Sequence, residues 1–395
     1  MKPFSKILFC VIFVFFSKII FAQPIIHFDE TGYQSVLKRS KIENKPIFYM
    51  VFATWCQHCN KMKAEVFSDT TVANYLNKNF ICAWQDFEIG EGAMLQKKYN
   101  IKSFPTFLFL DENENYLYGL NGEYKTTVFI EELKNALNPT KQLPFLKRQF
   151  LNEPNNSAKC LSFLTTLKKG KPRTDLNEYA HHYLSTQTGE KLLTEINWKI
   201  ISNGVTDIKS REFQFVLQHQ NEFAAITSPE RVEKKLFNIV TELLQPLTEN
   251  LDSIQYKKDR IIAKSINNIR IDSLVFRFDL IFYERTSDWK SYKNSAFDNV
   301  EKFIYKDTKT IKEIGQFFLK NASEADDLKL AIKWNLNALE LKESYDGLLL
   351  ESKLYLKIKN KDKAIYFARK AKEMTKNMGW NSKEADDLFK ELEIN

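Results

Sequence analysis

Two cysteines three positions apart, Cys56 and Cys59 in "ATWCQHCNKM", are the residues of this chain best suited to chemistry. That spacing serves a redox pair, half of a metal site, or a short structural disulfide. If a buried strand leads into it and a helix follows, the first thiol sits at the helix N-terminus. Unpaired N–H groups and the positive dipole end there favour a thiolate. The second thiol lies one turn on, within reach of a mixed disulfide formed by the first. His58 stands between the two cysteines. A protonated imidazole at that place further favours the Cys56 thiolate and makes it a better leaving group. It thereby moves the couple toward the oxidising end of a range that runs from about −270 to about −120 mV.

The competing uses are weaker. A structural zinc site needs four ligands, usually from two such pairs. The chain has no second C-x-x-C and no H-x₃₋₅-H, and His181 and His182 are adjacent, so on a helix they point apart. A purely structural disulfide would close so short a loop that little chain entropy is removed.

The elements around the pair have the required order. "KPIFYMVFA" (45–53) is a continuous apolar run, as a strand covered on both faces should be. After the cysteines, "CNKMKAEVFSDTTVANYLNKN" reads as a helix, a break near Ser68–Asp69 and a second helix. "FICAWQDF" (80–87) is a further buried strand, and "EGAMLQKKYNI" is amphipathic. "TFLFL" (106–110) and "YLYGL" (116–120) flank the turn "DENEN", a hairpin signal, before the helix "TTVFIEELKNALN". With "PIIHF" (24–28) and the charged helix after it, the order is β-α-β-α-β-α-β-β-α, an α/β layered domain over about 24–138. Pro105 opens the strand 106–110, an ordinary place for a proline.

With these elements the chain resembles the thioredoxin superfamily, and within it the secreted bacterial thioredoxin-like proteins. The residues carrying the resemblance are Trp55-Cys56-Gln57-His58-Cys59, Met62, Phe67, Val72, Leu76–Asn77, Phe80, Asp86, Tyr99, Ile101, Pro105–Thr106 and Asp111. It implies a nucleophilic Cys56, a resolving Cys59, a cis-Pro105 that presents backbone to an incoming chain, and Trp55 packed beside the thiols. Gln57 and His58 are the intervening, supporting residues. No cofactor beyond the Cys56–Cys59 disulfide is implied. The chain departs from thioredoxin proper at two places: Met50 stands where the buried acid would be, and Ala64 where a proline kinks the helix. Deprotonation of Cys59 must then go through water or through Glu65.

Beyond "NPTKQLP" (138–144), a linker marked by Pro139 and Pro144, helical segments follow one another with breaks at "EPNNS", "KKGKPRTD", "SNGVTD" and "TSPE". The expected organisation is a thioredoxin-like domain over 23–140 and an all-helical domain over 141–395. "AIKWNLNA" (331–338) and "AIYFARKA" (364–371), offset by 33 residues, resemble tetratricopeptide helix pairs, placed at about 310–378. Cys82 reads as a small buried hydrophobe and Cys160 as inert, with a disulfide between them conceivable in an exported protein.

The sparse glycine and proline, 11 and 10 in 395 residues, favour helices over turn-rich β architecture. Lys2, Lys6, the apolar run "ILFCVIFVFF" (7–16) and Ala22 read as a signal peptide over 1–22, with an uncleaved anchor as the alternative. Cleavage leaves 55 basic against 50 acidic residues, a net +5 spread along the chain, which gives nucleic-acid binding no support. Export to the periplasm permits disulfide chemistry. The expected function is thiol–disulfide exchange on protein disulfides or dithiols, with substrate proteins, a membrane electron-transfer partner and a protein partner of the helical domain as the partners. The alternative is an interaction protein whose helical part is a partner-binding platform.

Overall fold

The computed structural model describes residues 25–394; the segment read as a signal peptide lies outside them. Its contacts divide the chain into two compact units, the first ending at Thr206 and the second beginning at Asp207.

The first unit is built on a five-stranded mixed sheet of β1 (Phe28–Asp29), β2 (Ile47–Phe52), β3 (Ile81–Asp86), β4 (Thr106–Leu110) and β5 (Tyr116–Asn121), in the order β1-β3-β2-β4-β5. β1, β3 and β2 run parallel; β4 is antiparallel to β2 and β5 to β4. Central β2 is apolar throughout because both its faces are covered. Phe48 and Met50 join Cys82, Phe107 and Phe109 on one face, under Cys59, Met62, Val72, Leu76, Phe129 and Leu133. Ile47, Tyr49 and Val51 join Ile81, Ala83 and Leu108 on the other, against Tyr33, Val36, Leu95 and Tyr99. The helices responsible are α1 (Tyr33–Glu43), α2 (Gln57–Lys61), α3 (Thr70–Asn79), α4 (Gly92–Lys98) and α5 (Thr126–Leu137). The expected break at Ser68–Asp69 is a helix start: Asp69 accepts hydrogen bonds from the Thr71 and Val72 amides. This is the layered thioredoxin-type architecture, and a predominantly helical region follows it.

The expected boundary near 140 separates two regimes of secondary structure, not two compact units. "NPTKQLP" is a 3₁₀ turn, Pro139–Lys141, that runs straight into α6 (Leu143–Asn152), with Pro144 in its first turn. α6, α7 (Ser157–Gly170), α8 (Asn177–Leu184) and α9 (Glu195–Gly204) belong to the first unit. α7 reaches the sheet because two glycines let backbones meet. A Cβ on Gly170 would lie 2.5 Å from Gly119 Cα in β5. The Tyr116 hydroxyl donates to the Gly170 carbonyl at 3.2 Å. Lys169 donates to the Tyr118 hydroxyl at 2.8 Å and to Glu132 of α5 at 2.7 Å. Cys82 on β3 and Cys160 on α7 are both buried and unpaired, so the conceivable disulfide between them is not formed; burial pushes each thiol up to about 12.

In the second unit, polar groups buried between helices are satisfied to different degrees. Asp279 takes two bonds from Arg260, at 2.6 and 2.7 Å, one from the Tyr256 hydroxyl at 2.9 Å and one from Ser295 at 3.2 Å. Asn335, on the helix Ala325–Leu341, and Glu351, on Tyr345–Lys357, are wholly buried. Asn335 Nδ2 donates to Glu351 Oε2 at 2.8 Å and to the Gly347 carbonyl at 2.9 Å. Asn335 Oδ1 and Glu351 Oε1 have no partner. A carboxylate oxygen enclosed without a donor favours the protonated carboxyl. Burial pushes Glu351 up from 4.5 to about 7, against the Asn335 bond and the charge of Lys363. The segments "AIKWNLNA" and "AIYFARKA" lie on Ala325–Leu341 and Lys361–Met378, and bury Ala331, Ala338, Ala364 and Ala371.

Gly170→Ala is expected to lower stability by about 2 kcal/mol, because a methyl there must push two backbones apart; the shift in midpoint of a urea unfolding curve measures it. Glu351 binds its proton more tightly folded than unfolded. Its contribution is therefore complete below about pH 4.5 and is lost as pH rises through about 7, a fall of roughly 3 kcal/mol. Glu351→Gln, which cannot titrate in this range, is expected to flatten that slope between pH 5 and 8; identical slopes in the two proteins would refute the assignment.

Candidate active site

β2 delivers the chain from the core to the turn Ala53–Trp55, and Cys56 caps the helix that follows. Its amide donates to the Ala53 carbonyl at 3.1 Å, and its sulfur accepts the Cys59 N–H at 3.2 Å. That bond places a donor on the sulfur in the position where a thiolate forms. Cys56 and Cys59 form a disulfide, with Cα atoms 5.3 Å apart. Cys56 is 6% exposed and Cys59 is fully enclosed, so Cys56 is the nearer of the two to solvent.

The helix does not continue as a plain α-helix. α2 passes at Met62 into a π-helical turn, Met62–Val66, in which the Phe67 N–H reaches back to the Met62 carbonyl at 3.0 Å. The widened turn stands where a proline was missing at Ala64, and it is the local irregularity in this helix. It brings Lys63 over the rings of Phe52, at 3.3 Å, and Trp84, at 4.7 Å. Burial there lowers the Lys63 amine from its ordinary range, with the Asp86 carboxylate opposing.

β4 supplies the opposite wall. Val51 pairs with Thr106, so Pro105 falls beside the end of β2, from which the cysteine turn emerges. The Phe104–Pro105 bond is cis, and the Pro105 carbonyl accepts the Gly122 N–H at 2.8 Å. Phe104 stacks on Phe87 at 4.4 Å, and Trp55 meets both rings edge-on, at 6.5 and 6.2 Å. Trp55 is two-thirds exposed, and its indole N–H donates to Glu88 at 3.2 Å. Together they form an aromatic rim beside the disulfide.

Of the residues expected to act, Trp55, Cys56, Cys59 and Pro105 are brought together. Gln57 and His58 are exposed on the first turn of the helix. His58 Nδ1 is 2.9 Å from Glu123, a residue that sequence reasoning passed over because it lies 65 positions away with no motif around it. Glu65 is exposed on the π-turn, and its charge acts on Lys61; it does not belong to the enclosed cluster around Cys59. Met50 is buried in that cluster. The buried acid on this face is instead Asp86 at the end of β3, which accepts the Thr54 N–H at 3.2 Å and the Glu88 N–H at 2.9 Å. Asp86 had been visible only as a pattern position.

Residues 33–137 match the family model described as a thioredoxin-like domain. Protein disulfide-isomerase A5 of Mus musculus is 26% identical over 125 residues, covering 31% of this chain and 23% of that protein. The thiol:disulfide interchange protein DsbD of Yersinia pestis is 30% identical over 122 residues, covering 30% and 20%. The chain thus spans less than a quarter of the length of these curated relatives. A candidate disulphide-isomerase of Bacteroides thetaiotaomicron, solved in solution, is 33% identical and covers 30% of this chain and 97% of its own, with a TM-score of 0.28. Sheet order, the capped cysteine pair and the family match converge: residues 33–137 of this chain are a thioredoxin-like domain.

Proposed function

We propose that the chain is a thiol–disulfide oxidoreductase that works through Cys56 and Cys59 on protein disulfides or dithiols outside the cytosol. The observation that carries this reading is the asymmetric pair itself: Cys56 at the helix start, slightly exposed and with its sulfur accepting an N–H, and Cys59 fully enclosed one turn on. In the reducing direction the Cys56 thiolate attacks one sulfur of a substrate disulfide. That S–S bond breaks, a mixed disulfide forms, and the departing substrate sulfur takes a proton from solvent. The Cys59 thiol then loses its proton and attacks the Cys56 sulfur. The second substrate thiolate leaves, and Cys56 and Cys59 remain as a disulfide. Once that thiolate has also taken a proton from solvent, two electrons have moved from the cysteine pair to the substrate, and a dithiol partner must return them to the pair. Reversal of the same steps oxidises a substrate dithiol. The rim of Trp55, Phe87 and Phe104 supplies apolar area for an extended substrate segment beside Pro105.

The Cys59 proton leaves through water or Glu65, and Asp86, the buried acid at the end of β3, is a further acceptor on this face. No cofactor beyond the disulfide enters this scheme. The location outside the cytosol rests on the basic and apolar pattern of residues 1–22 and on the persistence of disulfides there. Among the described residues no helix is long and apolar enough to cross a membrane.

The test is insulin reduction by dithiothreitol. Wild type is expected to accelerate it, and Cys56→Ser to lose the acceleration by about a hundredfold or more, since no other exposed nucleophile is at hand. Cys59→Ser is expected to trap mixed disulfides, visible as a mobility shift that reductant removes. Equal rates for wild type and Cys56→Ser would favour the alternative, in which the helical region binds a partner and the thioredoxin-like domain serves for docking.

A further inference from the structure

The loop between β5 and α5 is fastened to both walls of the site. On one side the Gly122 N–H bonds the Pro105 carbonyl at 2.8 Å. On the other the Tyr124 N–H bonds the Met62 sulfur at 3.2 Å, in the helix that carries the cysteines. Gly122 makes the turn possible with φ of +88°. Glu123, held between these two anchors, turns its carboxylate to the cysteine helix. One oxygen is 2.9 Å from His58 Nδ1, and the other pairs with the Lys61 amine. Lys61 first and His58 second hold the Glu123 carboxyl below its ordinary range, and Glu123 in turn holds Lys61 above its own. Other charges at this end include Glu65, whose field also reaches Lys61, Glu88, which is bonded to the Trp55 indole, and Lys63, which feels the Asp86 carboxylate.

We infer that Glu123 is a positioning residue that sets the redox poise of the Cys56–Cys59 pair: it engages both basic residues of α2, His58 and Lys61, and so holds the couple more reducing than the C-x-H-C spacing alone would make it. The sequence motif leaves His58 and Lys61 as uncompensated positive charge near Cys56, which favours the thiolate and therefore an oxidising pair. The structure adds a fixed negative charge to the same cluster. The sign follows from the charge removed. Glu123→Gln takes a negative unit out of the cluster and leaves the Lys61 ammonium without its partner, which makes the surroundings of the pair more positive. The Cys56 thiolate, and with it the reduced form, is then stabilised.

This inference rests on the thiol–disulfide reading only in taking the pair to be reducible. The experiment is equilibration of the full chain with glutathione buffers, scoring the Cys56–Cys59 disulfide in wild type, Glu123→Gln and Lys61→Gln. Glu123→Gln is expected to shift the equilibrium constant three- to tenfold toward the reduced form, about 14 to 30 mV more oxidising. Lys61→Gln is expected to shift it the other way, because a cation is lost and the carboxylate stays. A Glu123→Gln constant within a factor of two of wild type, or both variants moving in the same direction, would overturn the assignment. A pair that equilibrates as expected yet does not accelerate insulin reduction would remove the enzyme reading and leave the role of Glu123 standing.

Discussion

The site depends on the pairing of two buried strands. β2 and β4 run antiparallel, with Val51 opposite Thr106, and this register alone brings the turn before Cys56 and the peptide bond of Pro105 to the same edge of the sheet. Shifting the pairing by one residue would send Phe107 and Phe109 to the wrong face, against Tyr33 and Leu95 rather than Phe129 and Leu133. Core packing therefore enforces the geometry of the groove. Phe48, which meets the rings of Phe67, Phe80, Phe107, Phe109 and Phe129, sits at the centre of that enforcement. The chemistry needs no residue of its own to hold Cys56 near Pro105.

Much of this was legible in the sequence because it was local. The apolar run that becomes β2, the strand at 106–110 and the cysteine spacing each announce themselves within ten residues, and the alternation of strand and helix then orders them. What was not legible is what joins distant positions. Glu123 has no neighbour in sequence that marks it, and only the closure of β5 against β4 carries it to His58. Asp86 could be read as an acid near a strand end, yet nothing in the chain says that its carboxylate caps the Thr54 amide. The π-turn at Met62–Val66 was hidden for a different reason. Residues such as Lys63 and Ala64 suit an α-helix equally well, and the extra residue is accommodated by packing over Phe52 and Trp84 rather than by propensity.

The helical part shows the same division. Helix breaks fall near the places where Pro, Gly, Asn and Ser cluster, because caps are chosen by a few neighbouring side chains; Asn156 and Ser228 each accept a helix-start amide. Buried polar partners are not chosen that way. Asp279 and Arg260 find each other across helices, as do Asn335 and Glu351, and neither pair has a periodic signature. One network is complete and the other is short of a proton, a distinction that depends on which oxygens face which helix.

The meeting of Gly119 and Gly170 bears on how this architecture could have been assembled or trimmed. Where α7 lies against β5, its backbone meets that of the strand, and Lys169 ties the same edge to α5. The oxidoreductase-like portion therefore does not end where its family resemblance ends. A shuffling event that cut the chain after Leu137 would strip α7 from β5, so α6 and α7 must travel with the sheet in any rearrangement of the chain.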